Sequence, residues 1–457
     1  MGEDLINNKK GARVWIYPKL IKGKLYQYRN WLSYVLLALM FSGPFIKVNG
    51  EQLILFNILE RKFVFFGVVF WPQDFHIFVL AMLTFIIFII LFTAVFGRVW
   101  CGWACPQTIF MEMLFRKIEF WIEGDANKQR KLDASPLTAE KFFKKTAKHT
   151  LFLLISFLIS NIFLAYIIGL ETLIKIIEEP VALHIYGFSA IIIFTIAFYF
   201  VFSYLREVVC TVICPYGRLQ GVLLDKKSLV VAYDYERGEP RGKLKKNTSE
   251  YVNTGDCVDC SICVQVCPTG IDIRQGTQLE CINCTLCIDA CDMVMEKINR
   301  PARLIGFKSQ EQISSKQAFH FSKRIYGYAA ILGVLISVLS FLLITRSDIE
   351  TVILRAGGTL YQERPDGTVS NLYNVELINK TSNAVKFELL PVDKGTTIQF
   401  IREEGTIGKG ESVKLTFFII KPQKDIEKYK SEVGLKVLSQ GRTIEELSTT
   451  FIAPPNF

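Results

Sequence analysis

Five apolar stretches interrupt an otherwise polar chain, at about 30–46, 75–97, 149–170, 185–205 and 325–345. A helix crosses a bilayer with roughly 20 apolar residues, so these lengths predict five membrane spans. The second stretch holds no formally charged residue over 23 positions. The segment 53–71 is also apolar, but Glu60, Arg61 and Lys62 interrupt it, and it reads as interfacial rather than spanning. Beyond about residue 347 the period changes. Apolar and polar residues alternate in VKFELL (385–390), TTIQFI (396–401), SVKLTFFII (412–420) and EVGLKVL (432–438), with turns such as PDG (365–367) and GKG (408–410) between them. Alternation at period two predicts short strands, and this spacing predicts an immunoglobulin-like β-sandwich of about 110 residues.

Composition agrees with apolar blocks inside a charged chain: 51% hydrophobic residues, 21% charged, net charge +10 over 457 residues. A positive balance can mark a nucleic-acid partner. Here the Lys and Arg lie in loops beside apolar spans, where membrane topology accounts for them, and no nucleic-acid partner is expected. Residues 1–30 carry seven Lys and Arg and 98–148 carry ten, and 206–324 is also rich, whereas 47–74 carries three and 171–184 one. The alternation predicts a multi-pass protein of the bacterial cytoplasmic (inner) membrane. It places the N-terminus and both rich loops in the cytoplasm, and the segment after about 346 in the periplasm. The polar, basic first thirty residues predict no cleavable signal, and Ile6 does not fit a myristoylation pattern.

Twelve cysteines carry the chemistry. Eight form one run repeated: Cys257-Val-Asp-Cys260-Ser-Ile-Cys263-Val-Gln-Val-Cys267-Pro268 and Cys281-Ile-Asn-Cys284-Thr-Leu-Cys287-Ile-Asp-Ala-Cys291. Three cysteines at intervals of three wrap one [4Fe–4S] cluster, and the fourth of each run reaches across to the other cluster. The assignment is Cys257, Cys260, Cys263 and Cys291 to one cluster, and Cys281, Cys284, Cys287 and Cys267 to the second. Zinc also binds paired Cys-x-x-Cys elements, but two full triplets with a fourth cysteine at the right offset favour iron–sulfur. Asp292 stands where proline would follow the eighth cysteine, and its charge is expected to lower the potential of a nearby cluster.

The other four cysteines sit in Cys101-Gly-Trp-Ala-Cys105-Pro106 and Cys210-Thr-Val-Ile-Cys214-Pro215, each ending a two-helix hairpin, as if a unit had been duplicated. If the helix continues through them, cysteines four apart share one face. The thiols would suit Cu(I), a further cluster or a thiol–disulfide relay, with packing between helices as the alternative. His76 and His184, at the outer ends of spans, could bind copper or a quinol headgroup but are more commonly structural. Met111 and Met113 read as core. Trp31, Trp71 and Trp100 read as interface anchors. GVLLDKKS (221–228) is not a phosphate loop, and no dinucleotide fingerprint is present.

The predicted architecture is therefore a polytopic α-helical membrane protein of five spans, with an inserted bacterial-type 2[4Fe–4S] ferredoxin module and a C-terminal immunoglobulin-like β-sandwich. Its segments are a cytoplasmic 1–30, a four-span domain 31–225, a ferredoxin domain 226–324, a fifth span 325–346 and a β-domain 347–457.

The stretches 100–124, 206–225 and 280–295, with FWPQDF (70–75), resemble the FixG/RdxA/CcoG family of polyferredoxin-type accessory proteins of cbb3-type cytochrome c oxidase. The resemblance covers nearly the whole chain, and in that family the eighth cysteine is also followed by Asp. It implies a cupric reductase supplying Cu(I) for oxidase assembly, with a cytoplasmic electron donor, copper ions as substrate, and oxidase assembly factors or a copper transporter as partners. Cys101, Cys105, Cys210 and Cys214 are then candidates to receive copper or relay electrons. Two other readings stand beside it: a membrane quinol dehydrogenase subunit, and a non-catalytic assembly scaffold.

Overall fold

The computed structural model describes residues 15–455 except 49, 60–61, 71–73, 243–254, 317, 347–348, 359, 382, 394, 402–404, 427 and 440, with backbone only at Arg442. The Met-Gly start with Ile6, the basic residues Lys9, Lys10 and Arg13, the interrupting pair Glu60 and Arg61, and Trp71 lie outside the described residues. The chain divides into two compact units, 1–45 with 78–338, and 46–77 with 339–457.

Four described helices are long and apolar enough to cross a membrane: Phe75–Phe96, Ala139–Ile168, Ile185–Leu205 and Lys323–Ile344. Their outward side chains include Leu83, Phe85, Phe157, Ile193 and Val334, all exposed, as lipid-facing residues would be. The predicted span 30–46 is helical as Lys24–Ser42, followed by a 3-10 turn Gly43–Phe45. Lys24, Gln27, Arg29 and Asn30 make its first turns polar. Local signals set the ends of Ala139–Ile168: the Thr138 hydroxyl caps it by accepting from Lys141 N at 3.3 Å, and Gly169 at φ 86° stops it. Helices 139–168 and 185–200 pack together, and Ser160 and Thr195 share a hydrogen bond of 2.9 Å between them. Phe115 stacks on Phe202 at 4.5 Å and meets Phe152 edge-on at 4.8 Å. Met111 lies in this cluster and Met113 is buried too, so both are core residues.

Charge is also buried in this unit. Glu119 meets Arg206 at 2.8 Å and Lys148 at 3.7 Å, Arg116 meets Glu112 at 2.9 Å, and Glu123 meets Lys145 and Lys148 at 2.9 Å each. The spacing of apolar residues gives no sign of this network, because all its pairs but Arg116–Glu112 join separate segments.

In the second unit the alternating segments are strands. One antiparallel sheet runs in the order Thr397–Phe400, Ser412–Pro422, Thr368–Asn379, Ile349–Arg355; another runs Glu388–Pro391, Lys430–Ser439, Arg442–Ile452. Their inward residues Tyr373, Phe417, Val433, Leu435 and Phe451 form one core, as period-two alternation requires. The segment read as interfacial folds as a three-stranded meander, Ile54–Asn57, Lys62–Phe65 and Val68–Phe70. Of FWPQDF, positions 71–73 lie outside the described residues, but Asp74 is fully placed. Its carboxylate accepts from Arg346 Nη2 at 2.7 Å and Lys380 Nζ at 2.6 Å while 2% exposed. Removing one member of a buried ion pair strands the others, which costs about 3–5 kcal/mol. Asp74→Ala is therefore expected to lower the unfolding temperature of this unit strongly in calorimetry, whereas exchanging the exposed Glu388 should not.

Candidate metal centre

The two cysteine runs adopt the same backbone. Asp259 and Ser261 follow Cys257 with φ of 51° and 55°, and Asn283 and Thr285 follow Cys281 with φ of 53° and 67°. Left-handed turns at non-glycine residues are costly and persist where surrounding structure over-determines them, commonly at functional sites. Each loop then enters a helix, Ile262–Gln265 and Leu286–Lys297. The cysteine that ends each run projects toward the other loop. Cys257, Cys260, Cys263 and Cys291 line one cavity with Tyr233, Val294 and Leu304. Cys267, Cys281, Cys284 and Cys287 line a second with Val231, Ile271 and Ile273, and Cys263 borders it too. The two enclose ≈ 370 and ≈ 340 Å³ of space free of protein atoms, open mouths included.

The walls are apolar, so thiolates alone would be unstable there. Burial, reinforced by neighbouring thiols, pushes Cys281 and Cys291 up to about 12. Burial likewise lifts Cys263 to about 12, with Arg274 opposing it. Buried thiols of this kind are held as thiolates when bound to a cationic metal core. Among the described residues no three His, Cys, Asp or Glu converge tightly enough for a single metal ion. The thiols instead stand around a cavity, a donor set and shape that fit an iron–sulfur cluster rather than one zinc.

The remaining four cysteines come from two copies of one local structure. Cys101 is in the short helix Val99–Trp103, and Cys105 is extended, with ψ 126°, before Pro106. Cys210 is in a π-helical turn, Val209–Ile213, and Cys214 is extended, with ψ 111°, before Pro215. One helix does not run through either pair, contrary to the one-face expectation, because proline excludes helical geometry from the residue before it. The four are nevertheless brought together: Cys101 feels the charge of Cys105 and Cys214, and Cys210 that of all three others. The Cys101 thiol donates to Gln220 Oε1 at 3.0 Å, and Gln220 Nε2 donates to Thr93 Oγ1 at 3.2 Å. Cys210 Sγ lies 4.0 Å from Thr108 Oγ1. Burial lifts Cys101 to about 11 and Cys210 to about 12.

These thiols adjoin the second cavity. A Cβ added at Gly102 would lie 2.4 Å from Ile282 O and 2.9 Å from Cys284 Cα and N. Only glycine permits this approach of two backbones. Buried Arg98 lies between the two sites: it donates to Leu279 O, and its charge acts on both Cys101 and Cys281. The entry strand of the ferredoxin segment caps the helix before Cys101, where Leu229 N donates to Val95 O at 3.0 Å and Ser228 Oγ to Ala94 O at 2.7 Å. Helix 24–42 docks on the other side, with Leu25 N and Tyr26 N donating to Asp289 at 3.2 and 2.8 Å. Sequence reasoning passed over Arg98, Asp289 and Gly102. The glycine inside Cys-Gly-Trp-Ala-Cys was the one readable hint.

The secondary candidates fall elsewhere. His184 pairs with Glu179 at 2.5 Å, His76 is exposed, and Trp31 and Trp100 are exposed at their helices. Residues 221–228 continue helix Pro215–Leu223 into a turn closed by Asp225 and Ser228.

Comparison with known proteins matches residues 205–310 to a 4Fe-4S dicluster domain, 78–125 to a 4Fe-4S binding domain and 339–454 to the IG-like fold at the C-terminal of FixG. The chain is 35% identical over 388 residues to Protein RdxB of Cereibacter sphaeroides, covering 82% of this chain and 81% of that one. It is 35% identical over 407 residues to Nitrogen fixation protein FixG of Rhizobium meliloti, covering 80% and 76%. Protein RdxA of Cereibacter sphaeroides matches at 34% over 392 residues, covering 82% of each.

Proposed function

The chain belongs to the FixG/Rdx family of membrane iron–sulfur electron-transfer proteins, and from this premise we propose that it reduces Cu(II) to Cu(I) for assembly of a cbb3-type cytochrome c oxidase. One observation supports this reading above the others. Four thiols from two hairpins meet beside a cysteine-lined cavity, with only Gly102 between the backbones. Cys257, Cys260, Cys263 and Cys291 would hold one [4Fe–4S] cluster, and Cys267, Cys281, Cys284 and Cys287 the other. When bound, the clusters supply single electrons and exchange no protons.

Copper is the substrate. Each Cu(II) takes up one electron, drawn from a cytoplasmic one-electron donor, and leaves as Cu(I). Cys101, Cys105, Cys210 and Cys214 offer soft sulfur donors, which favour Cu(I) over Cu(II) and so hold the product state. Gln220 orients Cys101, the charge of Arg98 acts on it, and Thr108 lies beside Cys210. The distribution of basic residues supports an orientation with the N-terminus and the ferredoxin module in the cytoplasm and the β-domain outside. In this scheme Cu(I) passes to oxidase assembly factors or a copper transporter, and the β-domain contributes an interaction surface.

The test is anaerobic. Protein reduced with dithionite and freed of excess reductant is mixed with Cu(II) or a quinone analogue, and Cu(I) is read with a selective chelator. The double variant Cys101→Ser, Cys105→Ser is expected to retain about eight irons and to lose at least ~10-fold in Cu(I) production, in line with damage to a metal-binding shell. Oxidation by quinone with none by Cu(II) would establish the quinol dehydrogenase reading instead. Inertness to both would leave the scaffold.

A further inference from the structure

The two cavities differ in the charge that surrounds them. Beside the first, the nearby cation is already neutralised: Arg274 meets Asp272 at 2.7 Å and Asp259 at 2.5 Å. Asp292 adds a carboxylate next to Cys291. Beside the second, the cations are buried and under-used. Arg29 is 1% exposed, and neither of its terminal guanidinium nitrogens has a hydrogen-bond partner among the described residues. It lies one helical turn beyond Leu25, which anchors the helix on Asp289, and it borders a small cavity with Leu286, the neighbour of Cys287. Its charge acts on the Cys284 sulfur more strongly than the opposing charge of Glu112, and that of Arg98 acts on Cys281.

A guanidinium buried without hydrogen-bond partners is strongly unfavourable, and the one carboxylate lining its cavity, Glu112, is already held by Arg116 at 2.9 Å. A cluster held by four thiolates carries net negative charge, and one more on reduction. A fixed cation close by therefore stabilises the reduced form more than the oxidised form. We propose that Arg29 is the counter-charge of the cluster in the second cavity and that, with Arg98, it sets that cluster at a higher reduction potential than the cluster in the first. Arg29 is a positioning residue in this role, because it acts through the ligand loop. The inference rests on the ligand assignment of the proposed function but not on copper.

Potentiometric titration of the full-length protein in detergent, followed by EPR, is the test. The wild type is expected to show two resolved reduction steps. Arg29→Gln should move the higher step to lower potential and leave the lower one in place, with iron content unchanged. Arg29→Lys, which keeps the charge, should move it less. An unmoved higher step at full iron content, or equal shifts in both variants, would overturn the proposal. If Arg29→Gln loses iron, Cys291→Ser decides: the step that survives that substitution must be the higher of the two, and survival of the lower one overturns the proposal. Absence of iron from the wild type would instead overturn the ligand assignment itself.

Discussion

Arg206→Ala is expected to leave little folded protein in detergent extracts. Arg206 is buried, pairs with Glu119 at 2.8 Å, lies 3.6 Å from Glu207 and faces the ring of Trp15 at 5.6 Å. Deleting it strands carboxylates in a dry setting, at about 3–5 kcal/mol, a large share of the stability of any domain. Burial alone would raise the Glu119 carboxyl, but Arg206, Arg116 and Lys148 outweigh it and hold it below the usual range. A depressed carboxyl stabilises the fold above its unfolded value and loses that contribution as the pH falls through the folded value. Without Arg206 the folded value rises, so acid unfolding should begin at higher pH. The backbone at Arg206 has φ 53°, a strain that alanine keeps and glycine relieves. Arg206→Gly should therefore be milder by about 1 kcal/mol. Thermal unfolding in detergent at several pH values checks the order. A wild-type melting temperature for Arg206→Ala would show that the network contributes little. The consequence extends to chemistry, since Arg206 precedes the turn carrying Cys210 by three residues.

Gly102→Ala is expected to remove one cluster and spare the other. The added methyl would meet Ile282 O at 2.4 Å and Cys284 Cα and N at 2.9 Å, all backbone atoms. No side chain can swing aside, so the Cys281–Cys284 loop itself must move, and ligation needs its geometry held. Iron should fall from about eight to about four per chain, with the cavity around Cys257 still occupied by EPR, and Cu(I) production should collapse. Full iron with wild-type spectra would mean that the two backbones separate without consequence. The same substitution at Gly333, which has nothing within 4 Å, is the control.

Much of this protein is legible in one dimension. The eight cysteines line two neighbouring cavities, with Cys263 bordering both, and the β-domain strands fall where apolar and polar residues alternate. Four of the apolar stretches fall in helices long enough to cross a membrane. The type of element in 53–71 was not legible, because a short apolar run fits a strand as well as a helix segment. The break in the Cys-x-x-x-Cys-Pro helices was readable from Pro106 and Pro215, yet spacing by fours suggested a continuous face.

The sequence by itself determined the metal chemistry and the types of element. A ligand loop is a local object in which three residues set the distance between sulfurs, and a strand or span is written in a period of a few positions. Only the tertiary structure decided which charges meet and which site neighbours which. Glu119 and Arg206 are 87 positions apart, and Leu25 and Asp289 are 264 apart. No local pattern encodes such a pairing. It arises when apolar faces pack and carry their few polar residues inside, where each must find a partner. That packing places Gly102 on the Cys284 loop and Arg29 beside it, and so makes the two repeated cysteine sites unequal.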